Sequence, residues 1–468
     1  MSSNNEKAKR GSFTGAIGFV MAAAGSAVGL GNIWRFPYLA AKNGGGTFLV
    51  VYLVLVLTFG FALLTTEIAL GRKTRQGPLT AYGKINKKFA FTGFLAWIVP
   101  IIILPYYCTI GGWVLKYLAV FLTGDGANAA TDGYFTSYIT GQGAPIFWMI
   151  LYLAITAFIV IGGVEKGIEK YSRILMPILV ILIIGISIFS LTLSYTDDSG
   201  VTRTGLQGLL IYAVPNFEGM TAKSFFLMVI DAVGQLFFSI SVAMGIMVAY
   251  GSYVPKETNL MKSINQIEFF DTLVAFLAGL MIVPAVFTFM GTEGMSAGPG
   301  LMFVSLPKVF DAMGWVGRPI GVLFFLMVTF AAVTSSVSIM EAIISGLMDK
   351  WHWSRTKSAI VVTVYSVVMG LIVCFGYNIL YFELPLPNGT TGQVLDLMDY
   401  ISNNILMPLV ALFTCILFGW VAGPETITDE VTRNGEKFPR KILYRIMVRY
   451  VAPLFLVALL LQSFGLLG

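Results

Sequence analysis

Charge is scarce in this chain of 468 residues: 12% are Asp, Glu, Lys or Arg, against 57% hydrophobic. A soluble domain carries about a quarter charged residues, so that composition, with a mean hydropathy of +0.81, excludes an ordinary soluble fold. Histidine occurs once and cysteine three times. Cys108, Cys374 and Cys415 lie inside apolar runs, and His352 sits in a charged connecting segment. Such a set supports neither a disulfide framework nor a metal centre. Paired or His-rich catalytic constellations are also missing, so no enzyme is expected. The alternation of a membrane β-barrel is absent as well.

What is present is a succession of apolar runs long enough to cross a bilayer, which takes about 20 residues. Lipid offers the backbone no hydrogen bonds, so unbroken runs of this kind must be helices. The expected fold is an all-α polytopic membrane protein with about eleven spans, at 13–40, 46–71, 91–123, 145–163, 171–195, 224–252, 263–290, 319–348, 358–376, 392–421 and 442–466. Residues 1–468 read as one transporter domain. The outer segment Ser296 to Phe310, punctuated by Pro299, Gly300 and Pro307, reads as a short hairpin capping one face.

Lys and Arg gather in alternate connections, such as Arg72 to Lys88, Lys166 to Arg173, Lys350 to Lys357 and Arg433 to Lys441, while the others hold Asp125, Asp132, Asp197, Asp198 and Glu383. The positive-inside rule predicts a multi-pass protein of the plasma membrane with a cytoplasmic N-terminus; an odd number of spans then puts Gly468 outside. No basic stripe lies apart from these connections, so no nucleic-acid partner is expected. The partner is the lipid bilayer; the oligomeric state stays open.

Two spans hold small and polar residues at mid-depth: Gly25-Ser26-Ala27-Val28-Gly29-Leu30-Gly31-Asn32 in the first, and Ser239-Ile240-Ser241-Val242-Ala243-Met244-Gly245 in the sixth. Unwound backbone survives at this depth only where it lines a cavity or binds something. Interrupted helices at corresponding places in two halves of a chain point to a transporter site. Gly25 and Gly29 also fit a G-x-x-x-G helix-packing pair, and spacing alone leaves both readings open. Packing does not explain Asn32, Trp34 and Arg35.

The run Gly25 to Tyr38, followed by Asn43-Gly44-Gly45-Gly46, resembles the first-helix signature of the neurotransmitter:sodium symporter family. Further matches follow in order at Glu67 to Arg72, Tyr106-Tyr107, Gln235 to Ser241, Thr334-Ser335-Ser336 and Asp396 to Asp399, so the resemblance covers essentially the whole chain. It implies the leucine-transporter fold of prokaryotic eleven-helix members: a five-plus-five inverted repeat (13–195 and 224–421), broken first and sixth helices, and one additional helix at 442–466. It also implies a substrate and two sodium ions held midway through the membrane.

For the substrate, the resemblance implies a site made by Ala27, Gly29, Leu30, Gly31, Ile103, Tyr107, Phe238, Ser239, Ser241, Met244, Ser335, Ser338 and Ile339. The carboxylate would meet the N–H groups of Leu30 and Gly31 and the Tyr107 hydroxyl. Amine-carrying relatives place Asp where Gly29 stands, so an amino acid is expected. The apolar pocket suits a neutral hydrophobic or aromatic side chain, and adaptable Met244 suits a large one. Sodium site one would use Ala27, Asn32, Ser239 and Asp271; site two would use Gly25, Val28, Ala331, Thr334 and Ser335. Asp271 stands where relatives have Asn, and its charge would replace chloride, so no chloride is expected. Buried Glu67 is expected to bond the unwound sixth helix. Outer closure is expected from Tyr107 and Phe238 with Arg35 and Asp399 paired through water. Inner closure is expected from Arg10 with Asp349, beside Phe13 and Tyr253. Gly167 and Pro177 are spaced as where the family loosens its fifth helix.

The expected function is sodium-coupled symport of a neutral amino acid by alternating access. The competing readings are an ion channel, which would need a continuous polar pore, and a non-transporting amino acid sensor of similar fold.

Overall fold

The computed structural model describes residues 11–197, 199–295 and 298–467. Among them, ten helices are long and apolar enough to cross a membrane, and a bent pair, Ala16–Ala27 with Gly31–Lys42, makes an eleventh span. After this span one come span two (Gly46–Thr74), three (Lys87–Thr123), four (Ala144–Ile161), five (Val164–Leu191) and the outer half of span six (Ala222–Ser239). The inner half of span six is Ile246–Tyr253. Spans seven to eleven are Leu260–Met290, Gly314–Trp351, Arg355–Phe375, Val394–Val421 and Lys441–Ser463.

These bounds follow the apolar runs to within a few residues, because hydrocarbon thickness dictates their length. Several spans start on a capping side chain: Asn259 accepts from Lys262 N–H, and Ser354 from Lys357 N–H. Pro100 and Pro105 sit inside span three, which neighbouring helices tolerate at this depth.

Spans one and six lie innermost. Span one packs on spans five, seven and eight, and the inner half of span six packs on span two. The outer faces of spans four, five and nine expose Phe158, Ile181 and Val364, as a lipid-facing surface should. Two small hairpins, Ser194–Thr196 with Thr202–Thr204 and Leu384–Pro385 with Thr391–Gly392, occupy connections on one side.

One expectation changes here. Among the described residues of the expected hairpin, the chain from Leu301 to Ala312 is helical, and the Tyr117 hydroxyl bonds Phe303 O at 2.9 Å. Gly167 and Pro177 both lie on span five, Pro177 inside the helix Lys170–Leu191. The irregularity of span five is confined to one wide π-turn at Val164–Glu169.

Candidate substrate and cation site

Span one bends by 53° between Ala27 and Gly31. Span six is open over 240–245, between Ser239 and Ile246. Within that opening Ser241, Ala243 and Gly245 adopt positive φ of 53°, 62° and 74°. Glu67 of span two, 1% exposed, holds this backbone by accepting from Ala243 N–H at 2.6 Å. The two breaks are tied directly, Ser241 Oγ donating to Ser26 O at 2.9 Å. Half-helices that end here leave N–H groups on one side and C=O groups on the other without partners inside the helix. Their dipoles attract an anion and a cation respectively.

A small cavity lies between the breaks. The structure brings Gly29, Leu30, Gly31, Ile103, Tyr107, Phe238, Ser241, Met244, Ser335 and Ile339 to its wall. Ser26 and Ile246 line it too; their place on the sequence, one flanking each break, was the available signal. No charged side chain is among these residues. The Tyr107 hydroxyl is buried and has no hydrogen-bond partner among the described residues. Gly29 leaves room at the wall: a Cβ there would lie 2.9 Å from Ser335 Oγ and 3.4 Å from the Tyr107 hydroxyl, so a larger residue would enter the cavity.

Three residues expected at the substrate are set back from this wall. Ser338 turns away, its hydroxyl bonding Tyr250 at 2.7 Å and Thr334 O at 2.8 Å. Ser239 turns to Asp271. Ala27 is the last residue of the inner half-helix, which leaves its carbonyl among the unpaired ones at that end.

Asn32, Ser239 and Asp271 form one cluster. Asn32 Nδ2 lies 2.9 Å from Asp271 Oδ1 and 3.1 Å from Ser239 Oγ, and Ser239 Oγ donates to Asp271 at 2.7 and 2.9 Å. Asn32 Oδ1 is buried with no partner among the described residues. A carboxylate beside a spare amide oxygen and a helix-end carbonyl is the donor set a hard cation takes. Across span one, Ser335 Oγ reaches Ser26 O at 3.1 Å and Val28 O at 3.5 Å. Thr334 Oγ1 bonds Ala331 O at 3.1 Å, and a Cβ on Gly25 would lie 3.2 Å from Thr334 Cβ. Gly25, Val28, Thr334 and Ser335 of the expected second cation site therefore lie side by side, and Ala331 sits one turn from Thr334 on span eight.

Phe238 and Tyr107 share the cavity wall, and the Arg35 guanidinium lies 6.0 Å from the Phe238 ring centre. No direct Arg35–Asp399 ion pair exists among the described residues. Asp399 instead accepts from the Tyr106 hydroxyl at 3.2 Å and from the Asn403 amide. On the other side Arg10 lies outside the described residues. Asp349 accepts from Gly77 N–H at 2.5 Å. Phe13 packs on Tyr253 with ring centres 6.3 Å apart. Sequence reading missed Glu341, 0% exposed, which takes the Tyr253 hydroxyl at 2.6 Å and a two-pronged contact from Arg355 at 2.7 Å. An acid within a 35-residue apolar helix was its signal, since such a group needs a partner.

Comparison with known proteins agrees with this architecture. The model of the sodium:neurotransmitter symporter family matches residues 10–130 and 133–466. An uncharacterised sodium-dependent transporter of Bacillus subtilis is 33% identical over 463 residues, covering 97% of each chain. The human sodium- and chloride-dependent GABA transporter 2 is 26% identical, over 90% of this chain and 75% of its own. The crystal structure of MhsT in complex with L-phenylalanine superimposes with a TM-score of 0.84 at 32% identity, covering 97% of this chain and 100% of that one. With two broken helices facing one buried cavity and a family match along nearly its whole length, the chain belongs to the sodium:neurotransmitter symporter family and is a sodium-dependent symporter.

Proposed function

We propose that the protein couples two sodium ions to the uptake of a neutral amino acid with a hydrophobic or aromatic side chain, without chloride. The observation that carries this reading is the cavity itself. Its wall is apolar apart from small hydroxyls and Tyr107, it holds no charged side chain, and Gly29 leaves the substrate to bring its own carboxylate. That carboxylate would take the Tyr107 hydroxyl and the N–H groups at Leu30 and Gly31. The ammonium would take carbonyls at the span six break and Ser241. Met244, unbranched and adaptable, suits a bulky side chain. The L-phenylalanine bound by MhsT supports an aromatic cargo.

The clusters at Asn32, Ser239 and Asp271 and at Gly25, Val28, Ala331, Thr334 and Ser335 are the proposed sodium sites. The Asp271 carboxylate supplies a fixed negative charge where the GABA transporter, by its name, depends on chloride. Two ions each falling through about 100 mV and a tenfold concentration ratio release roughly 7 kcal/mol in all, ample to concentrate a neutral solute. The halves 13–195 and 224–421 would rock about the site, with the start of span one on the cytoplasmic side and the end of span eleven outside the plasma membrane, the orientation that the positive connections favour.

The test is uptake into proteoliposomes driven by a sodium gradient, with a competition panel of the common amino acids. Neutral aromatic and large aliphatic amino acids should compete best. Saturable binding without movement of label would favour the sensor, and unsaturable sodium current a channel. Uptake that collapses when gluconate replaces chloride would overturn chloride independence.

A further inference from the structure

Where span one ends and span seven turns back, the chain leaves a second cavity of about 250 Å³. It shares no residue with the cavity between the breaks. Its walls come from the outer half of span one, from the helix Gly205–Ala213, and from span seven with the turn that follows it. Ala41, Ile211, Val283, Phe287 and Met295 make these walls apolar. The helix Gly205–Ala213 is fixed on span seven: the Tyr212 hydroxyl donates to Phe276 O at 2.9 Å, and a Cβ on Gly208 would lie 2.6 Å from Pro284 Cα. Ile211 is nonetheless 37% exposed, so the space is an open groove and not part of the packed interior.

The rim of the groove carries charge of one sign. Lys42, the last residue of the helix Phe36–Lys42, lies over the Tyr38 ring with its ammonium 5.9 Å from the ring centre. Both residues border the groove, and Thr292 adds a hydroxyl. No carboxylate pairs with this ammonium among the described residues, and no acid lines the groove. Lys42 also borders a space beside Arg35 and Asp231, but that space is polar and holds both signs. Apolar walls that end at one unpaired ammonium fit an amphiphile with one negative head and an apolar tail. The tail gains by leaving water, and the head by a charge-assisted bond to the lysine. A free amino acid does not fit, because its own ammonium would meet Lys42 and find no acid. The volume admits one acyl chain and is too small for the two tails of a phospholipid.

We propose that this groove is a binding site for a long-chain carboxylate, with its head at Lys42 and its single tail between span one and span seven. Bound there, the amphiphile bridges the outer half of span one to span seven at a place apart from the cargo. The inference does not depend on which cargo the protein carries.

Binding of radiolabelled dodecanoate to the purified full-length protein in phosphatidylcholine nanodiscs tests it, at a pH where the acid is ionised and with empty nanodiscs subtracted. Saturable binding in excess of the empty discs is expected. From octanoate upward each added CH2 should tighten binding about fourfold, the factor for one buried methylene, until the groove is full, after which further carbons should add little. Lys42→Gln should weaken dodecanoate about tenfold, the scale of a lost bond to a charged group. Dodecanol should bind the wild-type protein no better than dodecanoate binds Lys42→Gln. Ala41→Trp should fill the groove and abolish dodecanoate binding while sodium-dependent amino acid binding persists. If Ala41→Trp fails to fold, Lys42→Gln and the chain-length series decide. No excess over empty discs, or unchanged affinity in Lys42→Gln, would overturn the site. So would an affinity that climbs with chain length without a break, which marks partition into the surrounding lipid. Phosphatidylglycerol in the discs that displaces dodecanoate as well as free dodecanoate does would put a phospholipid in the groove and overturn the single-chain occupant. Protein that binds dodecanoate but no amino acid would sink the proposed function and leave the groove standing.

Discussion

Span one and span six are broken at the same depth by different means. Span one yields over 28–30, where no residue has positive φ, and it resumes as a wide turn at Gly31–Arg35. Span six yields over 240–245, where Ser241 and Ala243 are held in left-handed conformation despite their side chains. A non-glycine residue pays on the order of 1–2 kcal/mol for that conformation, so the second break must be held from outside. Glu67 does this through Ala243 N–H, and Ser241 through Ser26 O. Space makes the first break; bracing makes the second.

Filling the space at the first break should do most harm. Gly29→Asp would put a carboxylate beside Ser335 and Tyr107, where the substrate's own is proposed to sit. Like charges in contact cost several kcal/mol, so amino acid binding should fall by more than about a hundredfold in a labelled-substrate assay while the protein stays folded. Wild-type affinity in this variant would show that the first break does not receive an anion.

Removing the brace at the second break should come next. Glu67→Ala leaves a buried N–H unpaired, at about 1–3 kcal/mol, so affinity should drop about ten- to a hundredfold. Glu67→Gln keeps an acceptor oxygen and should lose several-fold less. Equal losses in the two would mean that charge, not bonding, is what Glu67 supplies.

Asp271 touches both breaks, through Asn32 and Ser239, and sharpens the comparison. Asp271→Asn removes the fixed charge and should raise the sodium concentration for half-maximal uptake about tenfold, with chloride now restoring part of it. Uptake rates in chloride and gluconate check this, and an unchanged sodium requirement counts against the proposed site.

The smallest effect is expected at Ala243→Gly. Glycine relieves the left-handed strain but gives the unfolded chain more freedom, so the melting temperature should rise by no more than a few degrees. A fall would place the strain elsewhere in 240–245.

The spans were legible in the sequence because each is a local matter: hydrocarbon demands about 20 apolar residues. Gly25, Gly29 and Gly31 mark close approach in span one, but their spacing fits helix packing as well as a break, and the family signature was needed to choose. The site residues on spans one and six follow from the family signature, and the structure gathers most of them. Ser338 stands back from the wall because its hydroxyl bonds Tyr250 and Thr334 O. The ties of Asp399 to Tyr106 and Asn403 and of Glu341 to Arg355 were not legible. Each acid could be seen to need a partner, but several candidates existed for each.

By itself the sequence determined a helical membrane protein, the number of its spans, the depth at which two of them lose their winding, and the apolar character of what surrounds the cavity. These depend on local composition meeting a solvent that cannot hydrogen-bond. Only the tertiary structure decided which buried acid meets which donor, and that non-glycine residues carry the strain of the second break. Those depend on distances between segments far apart in the chain, which no local pattern encodes.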